Sequence, residues 1–454
     1  MADWTRSGGS GESVADETTT RVHDAARRAR RAARELAALG VAERRAVLAA
    51  FADRLGESRA VITAANAADV ERARVLVGSG AISQAMLDRL KLDGGKLDGV
   101  IEGVRQVARL DDPLGVVTLA RELDEGLRLW RIACPIGVIG VIFESRPDAL
   151  VQIASLAIMS GNGALLKGGS EAAESNASLF GVLVDSLEAC GVSSEAFALL
   201  GGREDVAAML TADGLVDLII PRGSNAFVRH IQLNTTIPVL GHAEGLCHVY
   251  VDESADPAMA RRLAVDSKVQ YPAACNAAET ILVHVAIAPA VVADLVADLA
   301  SAGVEVRGDD RVRALSGKTA VAAATAADWS TEYGDLVVSI RIVDSLDEAI
   351  EHIATYGSGH TDVIVTESRD AFERFFRDVD SAGVFWNASS RFADGFRYGF
   401  GAEVGIATGK LHPRGPVGLD GLVTYKYKLV GHGHVVADYG GAGGRRFTHR
   451  PIED

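Results

Sequence analysis

Cys275 stands in YPAACNAAET, among alanines and just ahead of an apolar run that reads as a strand. Small neighbours leave room for a carbonyl carbon to reach the sulfur, and leave backbone N–H groups able to hold a developing oxyanion. The reactive form is the thiolate, and a thiol of pKa ~8.5 needs nearby positive charge or a helix N-terminus to reach it. Context alone also admits an inert, packed cysteine. Cys134, Cys190 and Cys247 lie in strand-like or helical apolar settings, where packing is the better reading. With no CxxC pair and no histidine at metal spacing, the thiols predict no disulfide framework and no metal site, and they fit a reducing, cytoplasmic setting.

Four cations lie where anions could be held. Lys167 ends the apolar run GALLK and is followed by Gly168, Gly169 and Ser170, which places a charge and free amides beside a nucleotide ribose or phosphate. Arg222, Gly223 and Ser224 sit between a strand and a helix in PRGSNAF, a second anion-holding position. Arg146 in FESRPD and Arg391 in WNASSRFADG lie in loops after strands. Each could equally be a surface lysine, ordinary turn chemistry or an inconsequential ion pair. No GxGxxG follows a strand and opens a helix; GNGALLKGG and GFGAEVG match that pattern only loosely.

The elements that must position these residues read as α/β. Residues 22–107 are dense in Ala, Arg, Glu and Leu at helical spacing, with arginines marking a solvated face. Then apolar runs alternate with helix-length segments: GVIGVIFE, GALLK, FALLGG and VDLIIPRG, followed by CHVYVD, AETILVHV, VEVRG, VVSIRIV, TDVIVT and GVFWN. The runs are continuous, as parallel sheets covered on both faces require. Two doubly wound lobes follow, with a cleft expected at the carboxyl ends of their strands. YKYKLVGHGHVVADY predicts an edge strand that pairs across a subunit interface. At 454 residues, 48% apolar and 24% charged, the chain is an ordinary globular one of two or three lobes. A net charge of −15 argues against nucleic acid and anionic lipid as partners. Residues 1–20 read as a flexible tail without a secretory signal, and no apolar run reaches the ~18 residues of a membrane span.

Several segments together resemble one family, gamma-glutamyl phosphate reductase, a branch of the aldehyde dehydrogenase superfamily. They are PIGVIGVIFESRPD, ALLKGGSEA, VDLIIPRGSN, YPAACNAAET, VDSLDEAIEHIATYGSGHTDVI and the long run from Val384 through YKY. The resemblance implies an aldehyde dehydrogenase-like α/β fold with a small β oligomerisation element. Its expected boundaries are 21–120 and 138–244 for the nucleotide-binding domain, 245–409 for the catalytic domain, and 121–137 with 410–454 for the β element. It implies Cys275 as the catalytic thiol and Lys167, with Ser170 or Glu171 beside it, at the adenosine ribose. Gly223 and Ser224 then fall at the pyrophosphate and Glu332 near the nicotinamide ribose.

Two departures from the wider superfamily matter. FESRP replaces PWNFP, so Ser145 stands where an amide oxyanion donor would be, and the Cys275 N–H carries more of that role, with Ser145 or Asn276. GHAEGLC replaces the ELGGK element, with His242 near the place of the water-activating glutamate and Glu244 offset, as suits exchange with phosphate and not water. The implied reaction is reduction of L-glutamyl 5-phosphate by NADPH to L-glutamate 5-semialdehyde through a cysteine thioester, in proline synthesis. NADH is equally compatible with Lys167. Arg391 or Arg146 would hold the substrate carboxylate. Competing readings are a hydrolytic aldehyde dehydrogenase using Glu244, and an acyltransferase or silent nucleotide-binding protein. The helical opening is too short for a fused kinase, so a stand-alone homo-oligomeric reductase is expected, receiving a labile substrate from a separate glutamate 5-kinase.

Overall fold

Apolar runs without polar alternation must be buried on both faces, and each of those ten segments forms a strand of a parallel sheet in the computed structural model, which describes residues 11–82, 84–144, 146–223, 225–241, 245–441 and 443–452. Val138–Ile142, Gly163–Lys167, Phe197–Leu200 and Leu218–Pro221 make a four-stranded sheet in the spatial order third, second, first, fourth. Successive side chains point to opposite faces. Ile139, Val141, Leu166 and Ile220 join one core with helices Val41–Glu57, Gly94–Arg109 and Pro147–Met159. Val138, Ile142, Leu165 and Ile219 join the other, beneath helices Gly11–Ala38 and Arg203–Leu210. Each such side chain contributes about 1.5–3 kcal/mol.

The second sheet has seven strands, all parallel, and contains Glu305–Gly308, Val337–Val343, Ala278–His284, Cys247–Val251, Thr361–Val365 and Gly383–Trp386 in that spatial order. It too is covered on both faces, by the cores around Ile281 and Leu295 on one side and around Tyr250 and Phe375 on the other. The expectation of two doubly wound lobes therefore holds.

An antiparallel sheet stands apart, with Leu127–Pro135 between Val117–Asp124 and Val423–Val430. Val423–Val430 is its edge, and Tyr425, Tyr427 and Leu429 on it are exposed.

Two expected boundaries differ. Helix Gly11–Ala38 begins inside the segment read as a tail, and farther along it Val22, Ala25, Ala26 and Ala29 pack onto the sheet. Residues 410–422 were assigned to the β element, yet Val417, Leu419 and Leu422 pack into the core of the first lobe. No helix among the described residues is long and apolar enough to cross a membrane.

Asn162, fully buried, fastens that returning segment. Its Oδ1 accepts from Gly137 N–H at 2.8 Å, and its Nδ2 donates to the Leu422 carbonyl at 2.7 Å. Asn162→Ala strands both backbone groups and should lower the unfolding free energy by about 2–3 kcal/mol. Denaturant titration reads this, and an unchanged midpoint would contradict the role.

Candidate active site

Cys275 lies in the turn that enters strand Ala278–His284 and is half-buried. The turn is braced from several sides. Ala274 N–H donates to the Tyr271 carbonyl at 3.1 Å, Ser390 Oγ donates to the Asn276 carbonyl at 2.6 Å, and Arg89 Nη2 donates to the Ala273 carbonyl at 3.2 Å. The Cys247 thiol donates to the Cys275 carbonyl at 3.3 Å. Gly245 presses against the same backbone, so close that a Cβ there would lie 2.4 Å from the Cys275 carbonyl oxygen and 2.7 Å from its Cα. The N–H of Cys275 meets no acceptor among the described residues, which leaves it available to an oxyanion.

His360 brings its Nε2 to 3.2 Å from the Cys275 sulfur, while its Nδ1 faces Thr361 Oγ1 at 2.9 Å. The ring is almost completely buried. The segment GSGHTD fixes it through alternate residues. Ser358 Oγ accepts from Leu246 N–H at 2.9 Å. Asp362, fully buried, takes both the His248 N–H at 2.9 Å and the His248 ring at 2.8 Å, and also receives Ser381 Oγ. Strand Cys247–Val251 lies between the strands entered by Cys275 and by His360, so this clamp sets the distance between sulfur and imidazole.

Burial pushes the Cys275 thiol up to about 12, and Glu403 and Glu332 add to the rise, while Arg222 and Arg391 oppose it. Unaided ionisation near pH 7 would leave roughly one thiolate in 10⁵. A proton acceptor in contact with the sulfur is therefore what the site needs, and the imidazole of His360 is the group in that position. Arg391 is held by Gln270, to whose Oε1 its Nε donates at 2.8 Å, and lies over the Tyr271 ring at 5.8 Å. Glu332 shares a loop with Gly334, whose N–H donates to Glu279 Oε1 at 3.3 Å; Glu279 in turn pairs with buried Lys268 at 2.7 Å. Burial pushes the Glu279 carboxyl up to about 7 despite that partner.

On the other lobe, Lys167 ends its strand with Gly168 and Gly169 beyond it. A Cβ at Gly168 would collide with the Asn176 amide at 2.1 Å, one at Gly169 with the Glu171 carboxylate at 2.0 Å, and one at Gly223 would come within 3.0 Å of Phe227 and 3.2 Å of the Glu144 carboxylate. Two loops thus present bare backbone around Lys167, the close approach a dinucleotide needs. Burial lowers the Lys167 ammonium, Glu171 and Glu144 raise it, and Arg203 lowers it further. Among the described residues no group of three or more His, Cys, Asp or Glu is placed to hold a metal ion.

The sequence matches the aldehyde dehydrogenase family over residues 8–313. The chain belongs to that family. It is 58% identical over 423 residues to the gamma-glutamyl phosphate reductase of Synechococcus sp. (strain JA-2-3B'a(2-13)), covering 93% of this chain and 92% of that one. The crystal structure of gamma-glutamyl phosphate reductase from Thermotoga maritima superposes with a TM-score of 0.87 at 39% identity, over 91% of this chain and 99% of that chain. A glyceraldehyde-3-phosphate dehydrogenase from Methanocaldococcus jannaschii, solved with NADP, shares the fold alone, with a TM-score of 0.64 at 16% identity over 91% and 95% of the two chains.

Within this aldehyde dehydrogenase fold, Cys275 and Glu332 fall in one electrostatic neighbourhood with Arg391, while Lys167 and Glu171 form another, with Gly223 reaching it through Glu144. Ser170 is exposed beside the second. Arg146 is half-exposed, with Asp148 at 3.6 Å. Asn276 is buried and its Nδ2 donates to the Ala393 carbonyl at 2.7 Å, so its amide has a structural partner where the sequence suggested an oxyanion donor. Ser145, Ser224, His242 and Glu244 lie outside the described residues. The cleft also differs from expectation. Lys167, Glu144 and Arg222 leave the carboxyl edge of their sheet, whereas Gly245, Cys275 and His360 precede their strands at the amino edge of the larger one. His360 was missed, although GSGHTD was the most distinctive run in the chain.

Gly245→Ala should displace the sulfur and lower kcat/KM about 10²-fold or more, since such misplacement is costly. Steady-state rates and the alkylation rate of Cys275 read this, and unchanged values would show that the turn gives way.

Proposed function

We propose that this chain reduces L-glutamyl 5-phosphate to L-glutamate 5-semialdehyde with release of phosphate, as a step of L-proline biosynthesis. The observation that carries the mechanism is the 3.2 Å contact between Cys275 Sγ and His360 Nε2. His360 takes the thiol proton, and the imidazolium left beside the thiolate offsets the penalty of burying it. The thiolate attacks the acyl carbon, forming a thioester and expelling phosphate, and the Cys275 N–H stabilises the oxygen as it gains charge. Bound dihydronicotinamide supplies the hydride that takes the thioester carbon to the aldehyde level. Arg391, nearly buried and held in place by Gln270, takes the substrate carboxylate. The relatives' naming does not favour a hydrolytic alternative.

The coenzyme we assign is NADPH, held by Lys167, Glu171 and the bare backbone at Gly168, Gly169 and Gly223. Arg203 adds a second cation near Lys167, as a 2′-phosphate would require. The exposed edge strand Val423–Val430 supports a homo-oligomer built by strand pairing. The lability of an acyl phosphate is the chemical reason to expect direct transfer from a glutamate 5-kinase.

Cys275→Ala should abolish phosphate-dependent reduction of NADP by the semialdehyde while nucleotide binding persists; turnover above a trace would refute the covalent route. His360→Gln should lower kcat/KM by about 10²–10⁴ and move Cys275 alkylation to higher pH, because the thiol loses its proton acceptor. An unmoved alkylation profile would remove His360 from the mechanism. Arg203→Ala should raise the KM for NADPH severalfold and leave that for NADH unchanged, and equal effects on both would count against the 2′-phosphate contact.

A further inference from the structure

Arg222 is the first residue beyond strand Leu218–Pro221, fixed by its N–H to the Ile142 carbonyl at 2.6 Å. Its Nη1 is buried, yet meets no hydrogen-bond partner among the described residues. A guanidinium normally enters a protein interior only with an anion to meet it. The nearby carboxylates do not fill that role. Glu403 Oε2 accepts from Gly395 N–H at 2.9 Å, burial favours its protonated form, and Asp148 leans toward Arg146 at 3.6 Å. Arg146 is close enough to add to the positive field at Arg222. Arg222 of the nucleotide-side lobe therefore faces the cysteine of the other lobe, with Arg146 behind it, and Arg222 bears on the thiol more than Arg391 does.

We infer that Arg222, assisted by Arg146, binds the phosphoryl group that leaves the acyl carbon, and binds inorganic phosphate in the reverse direction. The inference rests on the function proposed above. Position separates the two anionic ends of the substrate. The phosphate is bonded to the carbon that the sulfur attacks, so its cation must stand beside the thiol. The carboxylate lies farther along the chain, where Arg391 serves. In the step itself the S–C bond forms and the C–O bond to phosphate breaks, with its electron pair leaving on oxygen. The proton held on His360 ends on that oxygen, giving hydrogenphosphate. A planar fork of N–H donors suits an expelled oxyanion, and it is empty of protein partners at Nη1 until the substrate arrives.

The reverse reaction, semialdehyde with NADP and phosphate, isolates this contact. Arg222→Gln should raise the KM for phosphate thirtyfold or more while the KM values for NADP and semialdehyde move less than threefold, and Arg222→Lys should restore part of the loss. Phosphate should also slow iodoacetamide alkylation of Cys275 in the native protein and fail to do so in Arg222→Gln, a comparison that needs no turnover. A rise confined to the KM for NADP would assign the guanidinium to the coenzyme pyrophosphate and overturn the inference. A lower kcat with all three KM values unchanged would overturn it too, leaving Arg222 as a modulator of the thiol. If the native protein itself needs no phosphate, the proposed function fails. Native phosphate dependence with an unaltered KM in the variant defeats the inference alone.

Discussion

The 3.2 Å approach of the sulfur of half-buried Cys275 to a buried imidazole is the constraint around which the larger lobe is arranged. Water would ionise the thiol readily but would also hydrolyse a thioester; burial suppresses both. Keeping the dry site and recovering the nucleophile requires a proton acceptor in direct contact. That contact cannot come from local sequence, since the two residues enter strands separated by a third. The clamp of Asp362 on His248 and the pressure of Gly245 on the cysteine turn are the means by which the intervening strand keeps them in register.

Sheet polarity explains how two lobes divide the chemistry. The smaller sheet offers its carboxyl edge, where strand ends release glycines and cations suited to phosphates. The larger sheet offers its amino edge, where turns entering the strands present cysteine and histidine. A parallel sheet has both edges available, and facing opposite ends of two sheets sets the glycine- and lysine-bearing loops against the cysteine turn without either lobe having to supply both.

All ten core strands were legible, because continuous apolar runs such as GVIGV and TDVIV admit few alternatives at that length. The helical start was legible from Ala, Arg, Glu and Leu recurring at helical spacing, except that its first turns were read as tail. Cys275 and Lys167 could be singled out from small neighbours and a strand end. His360 could not: its partner lies far away in sequence, and a lone histidine before a strand carries no periodic signal. Asn276 shows a different limit of local reading: the amide beside the cysteine suggested an oxyanion donor, and its anchoring to the Ala393 carbonyl is a contact that no local pattern reveals. The amino-edge placement was likewise invisible, since strand spacing does not encode how lobes face one another.

The sulfur and Arg222 belong to different sheets, so the surroundings of the thiol are completed by a residue that its own lobe does not supply. The imidazole at 3.2 Å is native to the sulfur's lobe, whereas the guanidinium that opposes the effect of burial is borrowed from across the cleft.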